Sequence, residues 1–138
     1  MRDILFRGKR VCGNDFVYGN LIRVDDYCCI LEREEDLHPM DAPYLDGEIG
    51  WIDGKATPVV PETIGQFTGL YDRNGNKIFE GDIIRYGDDE EHLVIRYIDG
   101  AFHMLDYVDG CRSVIWPSFE WAILGTIHDN PELVKEDN

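Results

Sequence analysis

Five groupings of side chains in this 138-residue sequence have types and spacings that could do chemistry. Asp72, Asn74 and Asn76 match positions 1, 3 and 5 of a calcium-binding loop, whose oxygens would wrap a hard cation. That loop demands glycine at position 6 and glutamate at position 12, and the chain has Lys77 and Ile83 there. Zinc would need paired Cys and His. Cys28 and Cys29 are adjacent, so on a strand they point to opposite faces, and Cys12, Cys111, His38, His92, His103 and His128 are scattered. Carboxylates that could hold magnesium for phosphoryl chemistry occur at Glu80 with Asp82 and at Asp88-Asp89-Glu90-Glu91. The first pair flanks Gly81 at a bend, where aspartate caps turns, and the second reads as a solvated loop between strands. Ser113 and Ser118 are the only serines, and neither sits in a G-x-S-x-G elbow. Phe6, Arg7, Lys9, Arg10, Phe16 and Tyr18 interleave bases with aromatics, as single-strand binders do, but the same aromatics can face a core. No residue is assigned a catalytic, cofactor-binding or metal-binding role, and no cofactor is expected.

The element that must position any site runs from Val59 to Tyr86, VVPETIGQFTGLYDRNGNKIFEGDIIRY. Asn74-Gly75 is a strong hairpin signal, because a type I′ turn needs positive φ at both central residues. A two-residue loop there predicts the facing pairs Arg73–Asn76, Asp72–Lys77, Tyr71–Ile78 and Leu70–Phe79. Gly81 then breaks the chain ahead of the apolar strand Ile83 to Tyr86.

Upstream, Val11-Cys12 and Phe16-Val17-Tyr18 flank a turn at Gly13-Asn14, and Leu21–Val24 and Tyr27–Leu31 flank Asp25-Asp26. Residues 32–60 form an acidic, Gly- and Pro-rich surface excursion, with a small hairpin expected at Asp53-Gly54 beside Trp51-Ile52. Downstream, Asp99-Gly100 predicts Tyr97 facing Phe102, Arg96 facing His103, Ile95 facing Met104 and Val94 facing Leu105. Asp109-Gly110 extends this to a three-stranded meander with Met104 facing Ile115 and Leu105 facing Val114. Phe119 to Ile123 alternates as a further strand, and Asn130-Pro131-Glu132 starts a terminal helix.

The fold expected is all-β: a small antiparallel barrel-like C-terminal core, packed N-terminal strands and one short C-terminal helix. Closure into a barrel removes exposed strand edges. The expected division is an N-terminal β region over 1–60 and a barrel-like region over 61–138.

The net charge is −15, with 28 acids against 13 bases. Such a surface repels phosphate, so neither nucleic acid nor anionic membrane is an expected partner. Residues 1–23 are the exception, holding Arg2, Arg7, Lys9, Arg10 and Arg23 against Asp3 and Asp15. This basic arm could dock on an acidic face of its own or of a neighbouring subunit. The opening MRDILFRGKRV has no apolar core of a secretory signal, so a soluble cytoplasmic protein with reduced thiols is expected.

The segment PETIGQFTGLYDRNGNKIFEGDII resembles the most characteristic stretch of the YopX family, proteins encoded largely by phages and prophages. ILFRGKRV followed by FVYGNLI (Ile4 to Ile22) and GTIHDNPEL (Gly125 to Leu133) match in the same order, while Asp25 to Thr57 shows no family pattern. The resemblance implies a mostly β protein of phage-associated origin and carries over no reaction. Three functions are therefore set side by side. The first is a non-enzymatic accessory protein acting through protein contacts, with itself as a homo-oligomer or with a basic host protein. The second is an acidic mimic of nucleic acid that occupies a host DNA-binding protein. The third is a metal-dependent enzyme using surface carboxylates.

Overall fold

Strand reversals in this chain are placed by aspartate and glycine. The computed structural model describes residues 4–32, 56–106 and 109–134. The excursion's acidic run beyond Glu32, the hairpin expected at Asp53-Gly54 and the last four residues lie outside the described residues. The chain divides between Gln66 and Phe67 into two compact units.

In the first unit, β1 (Phe6–Lys9), β2 (Phe16–Val24), β3 (Tyr27–Leu31) and β4 (Ala56–Pro58) are antiparallel neighbours in the order β4-β3-β2-β1, with Gly65 and Gln66 of β5 (Gly65–Tyr71) paired beyond β1. Val24 faces Tyr27 across the two-residue turn Asp25-Asp26, and Asp25 takes a φ of 53°. Asp tolerates that left-handed conformation better than most residues. Val11 and Cys12 belong to the β1–β2 loop and not to a strand, because β1 ends at Lys9, paired with Phe16. The end of the expected excursion is strand β4, registered on β3 through Cys29 and Pro58. Pro58 fits there because β4 is an edge strand. Val17, Cys28, Ile30 and Val59 form the core, with Phe6, Leu21 and Ile64 packed on it. Gly19 is required where β2 crosses β3, since a Cβ there would overlap the Leu31 carbonyl oxygen.

The second unit holds the rest of β5, β6 (Lys77–Phe79) and a five-stranded antiparallel sheet. That sheet contains β7 (Asp82–Tyr86), β8 (Leu93–Ile98), β9 (Ala101–Asp106), β10 (Arg112–Val114) and β11 (Trp121–Thr126) in the order β10-β9-β8-β7-β11. The Asp99-Gly100 reversal is as predicted: both residues have positive φ (51° and 84°), and Arg96–His103, Ile95–Met104 and Val94–Leu105 face each other. Ile78, Ile84, Ile95, Phe102, Met104, Ile115 and Trp121 form one buried cluster.

Four further expectations need correction. The Asn74-Gly75 hairpin has a three-residue loop, Arg73-Asn74-Gly75. Gly75 N–H donates to the Asp72 carbonyl at 3.1 Å and Asp72 N–H to the Asn76 carbonyl at 2.9 Å, and of the loop residues only Gly75 has positive φ. This is the type I turn with a glycine bulge, which shifts the register to Tyr71–Lys77. A second irregularity at Gly69 (φ 90°) brings Phe67 opposite Phe79. Secondly, β10 is shifted two residues from its predicted register, so Leu105 faces Arg112 and Met104 faces Ser113. A two-residue shift keeps every side chain on its expected face. Thirdly, among the described residues no closed barrel forms: β10 and β11 end an open sheet. Lastly, the terminal helix is only a single 3-10 turn, Pro131–Leu133. Asn130 makes no side-chain cap to it, because its Oδ1 accepts the Thr126 N–H at 3.2 Å instead.

Candidate binding cavity

Within the second unit the ends of β7 and β11 carry a group of aromatic rings. Trp121 is registered opposite Tyr86, and their rings meet edge to face at 4.9 Å. Trp116, from the segment before β11, lies 5.1 Å from Trp121 and 5.8 Å from Tyr86 between ring centroids. The Trp121 indole N–H donates to the Trp116 carbonyl at 2.7 Å, and the Ser118 hydroxyl meets the Tyr86 hydroxyl at 3.3 Å. Trp121 is wholly buried, whereas Trp116 is 46% exposed.

The hairpin tip braces this corner. Arg73 N–H donates to the Trp121 carbonyl at 2.7 Å, and its guanidinium reaches the carbonyls of Gly87 (3.1 Å) and Glu120 (3.3 Å). Gly87 (φ 56°) in turn donates its N–H to the Glu120 carbonyl at 2.8 Å. The stretch around which the sequence is organised thus fixes the strand ends that hold Tyr86 and Trp121.

Beside the rings is a cavity of about 470 Å³. Tyr86, Leu93, Met104, Trp116 and Trp121 contribute its apolar lining, and Asp89, Glu91, Asp106 and Asp109 its carboxylates. Cys111, Arg112 and Ser113 complete the wall. Among the described residues Arg112 is the one cation in this lining, and its guanidinium is bonded to Asp99 at 3.2 Å. Asp109 accepts the Cys111 N–H at 2.8 Å. The Cys111 thiol is pushed above its ordinary range, first by its hydrogen bond to Asp109, then by that carboxylate's charge, a little burial, and the charges of Asp106 and Glu91. The lining combines electron-rich aromatic rings with four carboxylates against one arginine, an arrangement that favours a cation and disfavours anions.

The residues weighed from sequence are distributed differently. Asp72, Asn74 and Asn76 do come together, but the Asp72 carboxylate is buried as the cap of its own loop, accepting the N–H groups of Asn74 (2.9 Å) and Asn76 (2.8 Å). Asp82 is 1% exposed and accepts the Phe79 N–H at 2.7 Å, a turn-capping role. Cys28 and Cys29 are both buried, while Cys12 and Cys111 are exposed. Among the described residues no group of three or more His, Cys, Asp and Glu side chains is arranged to hold a metal ion. Of the Asp88–Glu91 run, Asp89 and Glu91 line the cavity, as does Ser113.

Three bases of the N-terminal segment, Arg7, Lys9 and Arg10, are engaged within the β1–β2 hairpin. Arg7 is 5% exposed with its guanidinium 4.4 Å from the Phe16 ring centre, Lys9 bonds the Asn14 carbonyl at 2.9 Å, and Arg10 pairs with Asp15 at 2.9 Å. Tyr86, Trp116, Trp121, Asp106 and Asp109 were not singled out from sequence. The available signal was the pair of tryptophans around Pro117-Ser118, one short strand beyond the Asp109-Gly110 turn.

A family model described as YopX protein matches residues 10–135, including the middle stretch that shows no family pattern to the eye. The fold is similar to the crystal structure of protein EF1440 from Enterococcus faecalis, with a TM-score of 0.54 and 25% identity over 98% of this chain and 100% of that one. No curated protein matches the chain. Among the described residues no helix is long and apolar enough to cross a membrane.

Proposed function

The chain belongs to the YopX family, and from that premise we propose that it is a non-enzymatic, phage- or prophage-associated accessory protein that works in the cytoplasm by binding a basic protein. The observation that carries this reading is the cavity itself, an aromatic floor with four carboxylates in its wall, in a chain of net charge −15. Charge complementarity of this kind steers encounter and selects partners. A partner of different sequence is favoured over a second copy, because Arg7, Lys9 and Arg10 already serve the β1–β2 hairpin. Mimicry of nucleic acid is disfavoured, since a phosphate-like surface needs acids in a regular row, and Asp89, Glu91, Asp106 and Asp109 instead surround a hollow.

The test is capture of host proteins on the immobilised protein and on two variants. Ser113→Trp puts a large side chain into the cavity lining, and Tyr27→Ser alters an exposed aromatic in the other unit. A specific partner held by the parent and by Tyr27→Ser, lost with Ser113→Trp and indifferent to competing duplex DNA, is the expected result. Capture unchanged by Ser113→Trp, or released by duplex DNA, would remove the reading.

A further inference from the structure

We infer that the cavity seats the side chain of an arginine presented by the protein partner, with the guanidinium on the accessible Tyr86 and Trp116 rings, which buried Trp121 backs, and its charge met by the exposed carboxylates Asp89, Glu91 and Asp109. This deepens the binding role proposed above and rests on it.

Three features select that ligand. The rings offer carbon faces: the Trp121 indole N–H is used on the Trp116 carbonyl, and the Tyr86 hydroxyl oxygen accepts the Ser118 O–H. A guanidinium is flat, weakly hydrated and attracted to aromatic faces, so it can leave water for such a floor where a compact, strongly hydrated ammonium does so less readily. The lining carries four carboxylates, of which Asp89, Glu91 and Asp109 are exposed and Asp106 is buried. Asp89 and Glu91 come from the β7–β8 loop, and Asp106 and Asp109 from the end of β9 and the loop after it. The lining cation Arg112 has its guanidinium on Asp99.

The field is felt locally. The thiol of Cys111, at the cavity wall, is raised by Asp109 foremost and also by Asp106 and Glu91. A phosphate or carboxylate ligand would meet the same field and be repelled. A bare metal ion would find rings where it needs oxygen ligands. The space suits one long side chain rather than a helix or a nucleobase pair: about 470 Å³, with Met104 and Leu93 flanking the rings, accommodates an arginine and its neighbouring backbone.

The experiment uses the full chain and three capped tripeptides, Gly-Arg-Gly, Gly-Lys-Gly and Gly-citrulline-Gly, titrated while the tryptophan indole N–H resonances are followed by NMR. Citrulline keeps the shape of arginine and lacks its charge. The arginine peptide should shift the Trp116 and Trp121 signals saturably, the lysine peptide should bind at least threefold more weakly, and the citrulline peptide should give no saturable shift. Trp116→Ala should weaken the arginine peptide about tenfold. Asp109→Asn, which leaves the floor intact, should weaken it about threefold and reduce its salt dependence. Equal binding of arginine and citrulline peptides, tighter binding of lysine, or no shift with arginine would overturn the inference.

The two readings fail separately. Arginine-peptide binding together with lysate capture that ignores Ser113→Trp would sustain the cavity chemistry and sink the partner role. Capture abolished by Ser113→Trp with no arginine-peptide binding would sink the arginine and keep the partner.

Discussion

Replacing Asp72 with alanine tests whether the hairpin at the centre of the sequence is held by its backbone or by a side chain. Asp72 Oδ1 accepts two loop N–H groups, from Asn74 at 2.9 Å and Asn76 at 2.8 Å, and Oδ2 faces the Asn76 side-chain amide at 3.4 Å. A hydrogen bond to a charged acceptor contributes about 1.5–3 kcal/mol net, and a donor left dry adds its own desolvation cost. Asn74 and Asn76 are exposed, so water can reclaim their N–H groups after truncation and the full value will not be lost. About 2–3 kcal/mol in total is expected for Asp72→Ala. Asp72→Asn keeps a neutral oxygen in the Oδ1 position and should cost about 1 kcal/mol, since charge-assisted bonds are roughly twice as strong as neutral ones. Gly75→Ala has open space around its new Cβ, so it isolates the backbone cost of φ 81°, about 1 kcal/mol. Urea unfolding followed by the fluorescence of buried Trp121 measures all three. The ordering parent, Asp72→Asn, Asp72→Ala must appear with an unchanged m-value. Asp72→Ala within about 0.5 kcal/mol of the parent would refute the carboxylate's role and return the loop to a backbone-determined turn.

Three further outcomes follow from particular side chains. Gly19→Ala should cost about 3 kcal/mol or more, or abolish soluble expression, because the new Cβ overlaps the backbone of Leu31 and must push β2 from β3; a parent-like urea midpoint would contradict this. Trp121→Ala should cost about 3–5 kcal/mol for an emptied core site, and Trp121→Phe distinctly less, as read by denaturant midpoints. In thiol titration of the native protein Cys12 and Cys111 should react ahead of buried Cys28 and Cys29, with four thiols found after unfolding. Since the Asp109 carboxylate raises the Cys111 thiol, a smaller fraction is thiolate at a given pH; Asp109→Asn should therefore speed the Cys111 reaction at pH 8, and the difference should close at strongly alkaline pH.

What could be read in advance depended on whether backbone or side chain decides the local geometry. The Asp99-Gly100 reversal was legible because both turn residues accept positive φ and alternation on either side agrees with one register. Asp25-Asp26 was legible more coarsely, as a reversal between two strand-like runs, and there only Asp25 takes positive φ. At Asn74-Gly75 the dipeptide pointed to a two-residue loop, but the Asp72 carboxylate caps a longer one, and Thr68 bonds both the Ile78 carbonyl (2.8 Å) and the Leu70 N–H (3.1 Å) around Gly69. Neither side-chain bond leaves a trace in hydrophobic alternation. The barrel was inferred from the need to cover edges, a need that does not dictate closure. The cavity was least legible, since its lining runs from Tyr86 to Trp121 and no short motif holds it. In the linear text its tryptophans look like core and its aspartates like solvated loop; only the β7–β11 pairing makes neighbours of Tyr86 and Trp121.

The glycine-bulge turn has a consequence for how the molecule ages. Asparagine followed by glycine deamidates readily in a flexible chain, because the unhindered glycine nitrogen attacks the asparagine side-chain carbonyl to close a succinimide. Here the nitrogen in question, on Gly75, is already committed to the Asp72 carbonyl at 3.1 Å, and the preceding N–H, on Asn74, to the Asp72 carboxylate. Ring closure at Asn74 must wait until the turn opens, so the rate at which aspartate and isoaspartate accumulate there reports the opening of this hairpin, separately from global unfolding. Old preparations of the protein thus carry a chemical record of how often Asp72 has let go.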